Sequence, residues 1–83
     1  MLLNFSHFPK LELLILRNVG LHKFPKKISF SSLRLADFKN NNISSVKDLG
    51  VFLNACKRLE VLRIQDNPVW EKQNENATEL FVF

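Results

Sequence analysis

One eleven-residue pattern recurs three times in this 83-residue chain and limits what it can fold into more than any other feature. Leu11 to Leu21 reads LELLILRNVGL, Leu33 to Ile43 reads LRLADFKNNNI, and Leu59 to Val69 reads LEVLRIQDNPV. Apolar residues stand at positions one, four, six and eleven of each copy, apart from small Ala36, and the starts lie 22 and 26 residues apart. Positions four and six alternate to one side of a short strand, as period-two burial requires. They are Leu14 and Leu16, then Ala36 and Phe38, then Leu62 and Ile64. Equivalent strands are expected to stack in parallel, roughly 4.8 Å apart. The ninth position holds Asn41 and Asn67, just where the chain leaves the strand and turns inward. An amide there can satisfy the backbone groups of a buried turn. Val19 stands at that position in the first copy and cannot do so. The first turn is therefore expected to lean on Asn18 or to be looser.

The segments between strands form the opposite side. After Leu21, Phe24-Pro25, Ile28 and Phe30 with Ser29, Ser31 and Ser32 predict an extended or 3₁₀ return rather than a full helix. After Ile43, Val46, Leu49, Leu53 and Cys56 recur at helical spacing, and Ser45 with Asp48 fits a capping box at the start. A short helix there accounts for the longer second period, and Gly50 weakens it by about 1 kcal/mol.

Three in-phase copies of L-x-x-L-x-L-x-x-N-x-L resemble the leucine-rich repeat, and the likeness covers nearly the whole chain. The 22-residue period and the Asn67-Pro68-Val69-Trp70 ending are similar to the intracellular class typified by the phosphatase-1 regulatory subunit. Spliceosomal A-prime, tubulin-cofactor and axonemal leucine-rich proteins share that type. The plant-receptor Gly-x-Ile-Pro signature and the cysteine-rich flanks of extracellular members are not in this sequence. The resemblance implies an α/β solenoid with a short parallel sheet on its concave side and irregular, 3₁₀ and short helical convex returns. It divides a single domain, 1–83, into a partial repeat 1–10, repeats starting at 11, 33 and 59, and a partial C-terminal cap 70–83. A cap helix is expected to begin within Asn74–Phe83, with Asn76 or Thr78 as N-cap. Trp70 is expected to seal the end of the core.

Strand residues facing away from the core form the natural partner surface. Leu13, Leu35 and Val61 make an apolar column at position three. Ile15, Asp37 and Arg63 lie at position five, and Arg17, Lys39 and Gln65 at position seven. An apolar column flanked by mixed charge suits a protein groove, so Leu13, Ile15, Arg17, Leu35, Asp37, Lys39, Arg63 and Gln65 are the candidate protein-binding residues. The expected function is a protein–protein interaction module, a scaffold or subunit of a larger assembly. End-to-end contacts or a larger complex are expected to cover apolar ends of the stack. Two alternatives stand beside it: a basic RNA- or tubulin-associated module, and a truncated repeat fragment without independent function.

Composition narrows the remaining classes. The net charge of +4 is modest, and Lys23, Lys26, Lys27, Lys57 and Arg58 read as solvated basic clusters without interleaved aromatics, which makes nucleic acid the weaker partner. One cysteine, Cys56, makes no internal disulfide and reads as a core residue. His7 and His22 have no second ligand at metal spacing. No Gly-rich phosphate loop, paired-acid motif or nucleophile beside a base appears, so no enzyme, cofactor or metal is expected. No membrane span or signal peptide is read, and a cytoplasmic protein is expected, with nucleus or cilium as alternatives. The sequons at Asn4, Asn42 and Asn76 are accordingly expected to carry no glycan.

Overall fold

Each repeat contributes one strand of three residues: β1 Leu13–Ile15, β2 Leu35–Asp37 and β3 Val61–Arg63. The computed structural model describes residues 8–25, 30–71 and 80–81. The strands pair in parallel with equivalent repeat positions side by side, Leu13 with Leu35 and Leu35 with Val61. A fourth strand, β4 Leu80–Phe81, runs antiparallel along the far side of β3, with Phe81 opposite Val61 and Leu80 opposite Leu62. The order is β1-β2-β3-β4. This corrects the expected cap helix at its end, because residues 80 and 81 are strand. The backbone groups on that side of β3 are satisfied by pairing, and Phe81 is of a β-favouring type. Asn74, Asn76 and Thr78 lie outside the described residues.

Positions four and six point into the core as the alternation requires. Ala36, Leu62 and Phe38 are fully buried, Leu14 and Ile64 nearly so, and Leu16 is half-buried at the edge. Position eight carries Asn18, Asn40 and Asp66, with φ of 55°, 57° and 60°. The chain enters the left-handed region there to leave the strand, and Asn and Asp tolerate it better than other non-glycine residues.

The helical return forms as α1, Val46–Ala55. Ser45 caps it, its Oγ accepting from the Asp48 N–H at 3.1 Å. Of the expected stripe, Leu49 and Cys56 are buried and Leu53 packs partly against the core, while Val46 is 55% exposed and Phe52 is buried in addition. The reason is aromatic. Phe52 meets Phe24, Phe38 and Phe30 at ring-centroid separations of 4.9, 5.3 and 6.0 Å. Burying that ring outweighs burying a valine. The segment His22–Pro25 forms no helix, and residues 26–29, with Lys26, Lys27, Ile28 and Ser29, lie outside the described ones. A one-turn helix, α2 Pro68–Glu71, follows the third strand, with Pro68 at its first position where the missing N–H costs nothing. Trp70 is buried on it and joins the core. Among the described residues no helix is long and apolar enough to cross a membrane.

Candidate functional site

The sheet's solvent face carries the residues that the repeat places at positions three, five and seven. Parallel register sets them side by side across β1, β2 and β3. Leu13 and Ile15 on β1 are 52% and 51% exposed. Leu35 and Val61, flanked by strands on both sides, are half-buried. The apolar column is therefore open chiefly at its β1 end.

Asp37 departs from the expectation that it meets a partner. Its side chain is fully buried beneath its cationic neighbours. Arg17 donates from both Nε and Nη2 to Oδ2, the Nε bond being 2.9 Å. The Lys39 backbone N–H donates to Oδ1 at 3.2 Å. Arg63 Nη1 stands 3.8 Å from Oδ2 on the other side. A carboxylate in the middle strand between two arginines is drawn down onto the sheet and covered by them. Burial pushes its pKa up. The Arg17 hydrogen bond, the Lys39 N–H and the charges of Arg17 and Lys39 outweigh that, so the carboxyl is held below its usual range. Asp37 thus orients the cations rather than offering itself. Arg17 remains half exposed, its side chain at 50%, and Lys39, Arg63 and Gln65 are partly exposed around it. Gln65 Oε1 is buried and bonds nothing among the described residues. Three cationic side chains against one carboxylate leave a net positive centre beside an apolar end.

The ninth-position asparagines act across the repeats. Asn41 Oδ1 accepts from the Val19 and Leu21 N–H groups, each at 3.0 Å, and its Nδ2 donates to the Leu16 carbonyl at 2.7 Å. Asn67 Oδ1 accepts from Ile43 N–H at 3.0 Å, and its Nδ2 donates to the Phe38 carbonyl at 2.8 Å. Each amide ties down the turn of the repeat before its own. The first turn is therefore held by Asn41, and the expectation that Val19 leaves it to Asn18 or loosens it is corrected. Asn18 instead accepts at Oδ1 from Asn40 Nδ2 at 3.2 Å.

A second row of charge was not singled out in the sequence. Position two of the repeats carries Glu12, Arg34 and Glu60, and these line an open depression at the strand starts together with Lys10, Ser32 and Arg58. Arg34 Nε donates to Glu60 Oε2, which holds the Glu60 carboxyl below its usual range. The signal was readable as alternating sign at one repeat position. The Arg34–Glu60 pair joins neighbouring strands at the exposed surface, with 60% and 55% of its side chains open to solvent, where an ion pair contributes little. Cys56 is fully buried, and burial pushes its thiol up to about 11. His22, Lys23, Lys57 and Arg58 are exposed, and His7, Asn4 and Asn76 lie outside the described residues. Among the described residues no group of His, Cys, Asp and Glu gathers where it could hold a metal ion. Comparison with family models, curated proteins and solved structures gives no match to this chain.

Proposed function

We propose that this chain is a leucine-rich-repeat protein-binding module, a scaffold or assembly subunit that engages its partner on the concave, solvent face of the sheet. The observation that supports it most is the arrangement around Asp37. One buried carboxylate braces Arg17 and stands 3.8 Å from Arg63, with Lys39 beside them, next to the exposed Leu13 and Ile15. A side chain held by its neighbour loses less conformational freedom on binding, so a pre-positioned cation beside an apolar surface is well suited to recognition. The fitting partner is a protein segment with an apolar anchor and acidic neighbours.

Peptides that pair one large apolar residue with two or three carboxylates provide the test, measured against neutral and basic versions of equal length. The acidic set is expected to bind best. Lys39→Glu is expected to slow association and flatten its salt dependence, and the convex change Lys57→Glu to do neither. Equal binding of all three peptide classes, or a larger effect from Lys57→Glu, overturns the reading. Tighter binding of RNA than of any peptide, lost through Lys57→Glu, assigns the basic convex clusters instead.

A further inference from the structure

The outer edge of β1 is built to pair. On the side facing β2, Glu12 accepts at its carbonyl from Arg34 and Leu35, while Leu16 and Asn18 donate to the carbonyls of Asp37 and Lys39. Backbone groups alternate in direction along a strand, so those of Leu13 and Ile15 point the other way. Among the described residues β1 ends the sheet, and nothing pairs with that side. Exposed edges are ordinarily blunted by a charge, a proline or a bulge. This one reads Leu-Leu-Ile, with Leu13 and Ile15 half exposed. The opposite limit of the parallel set is treated differently, because β4 covers β3 in antiparallel fashion.

The ladder amides argue against another repeat of the same kind on this edge. Asn41 and Asn67 each reach back to hold the preceding turn. At the corresponding place the β1 repeat offers Val19, which is exposed and has no amide to give. A repeat stacked there would lose the bonds that fix its own turn. An added strand that brings no inward turn loses nothing.

We propose that this edge receives β1 of a second copy, running antiparallel about a two-fold axis at Leu14. In that register Leu13 lies opposite Ile15 of the other copy, Ile15 opposite its Leu13, and the two Leu14 residues face each other. Leu13 and Ile15 are the residues whose backbone groups point outward, so their hydrogen bonds close in pairs, as antiparallel strands require. The apolar side chains left open on one copy meet the same side chains on the other, the self-complementarity of an isologous contact. The register places Arg17 opposite Leu11 of the partner copy and keeps the two Arg17 residues about 20 Å apart along the strands. Like charges therefore do not meet. The result is one continuous sheet whose apolar centre is doubled. The proposal does not depend on the acidic-partner reading above.

Sedimentation velocity of the full chain, from low to high micromolar, tests it together with residue-resolved amide exchange. A reversible monomer–dimer equilibrium is expected. The Leu13 and Ile15 amides should gain protection with concentration while that of Leu14, already turned toward β2, stays unchanged. Leu13→Lys and Ile15→Lys should each weaken the dimer at least tenfold. Lys39→Glu, which tests the acidic-partner reading, should leave the dimer within twofold. A monomer at every concentration overturns the proposal, as does a dimer indifferent to both lysine variants. Should a lysine variant fail to fold, amide exchange of the unaltered chain still decides. Protection that never rises at Leu13 and Ile15 refutes the contact.

Discussion

Removing the Asn67 side chain is expected to be the most damaging polar substitution in this chain. The residue is fully buried. Its Oδ1 accepts from Ile43 N–H at 3.0 Å, and its Nδ2 reaches the carbonyls of Phe38, Ile64 and Gln65 at 2.8, 3.1 and 3.3 Å. In Asn67→Ala the buried Ile43 N–H loses its acceptor, at about 1–3 kcal/mol. The Phe38 carbonyl keeps a partner, because Asn41 Nδ2 donates to it at 3.0 Å. Adding the loss at Ile64, the cost is about 2–4 kcal/mol. Asn41→Ala releases the N–H of exposed Val19, which water takes over, and that of fully buried Leu21, which water does not reach. About 1–2 kcal/mol is expected there. The two amides share the Phe38 carbonyl, so the double variant should exceed the sum of the singles by about 0.5–1.5 kcal/mol. Urea unfolding followed by circular dichroism gives all three values. A domain of this size holds only about 4–12 kcal/mol in total, so the shifts in midpoint are large. An unchanged midpoint in either single variant, or strict additivity in the double, would refute the cross-repeat ladder.

Two further outcomes follow from the geometry. Asp37 is held below the usual carboxylate range in the folded state. Its contribution is therefore present above the unfolded carboxyl pKa and is lost as pH falls through the folded one. Asp37→Asn should cost about 1–3 kcal/mol at neutral pH, toward the low end because Arg17 is half exposed, and should flatten the acid limb of a stability–pH profile. An unchanged acid limb would mean that the carboxylate is not clamped. In α1, a Cβ built on Gly50 meets nothing within 4 Å, so Gly50→Ala should stabilise by about 0.5–1 kcal/mol through helix propensity alone. A lowered thermal midpoint would place Gly50 in a contact the fold does not show.

What the sequence determined by itself is local and periodic. Alternation at positions four and six is enough to say which side of each strand enters the core, since a strand has only two sides. The same eleven-residue pattern in each repeat, at unequal spacings of 22 and 26 residues, pointed to the parallel register of β1, β2 and β3 in advance. Ser45 announced the start of α1 because a cap bonds within three residues of itself. Tertiary structure decided what depends on partners distant in the sequence. No local signal says that Asn41 serves the turn at Val19 and Leu21, 22 and 20 residues earlier. Asp37 shared a position with the exposed Ile15 and became buried because strand pairing brings arginines to it on both sides. The face of α1 was settled by the convergence of phenylalanines from separate segments on Phe52, a competition for volume that helical spacing alone does not describe. Leu80–Phe81 became strand because β3 offered an edge to pair with. Periodicity fixes the direction in which a side chain points. What it meets there depends on the packing of the whole chain.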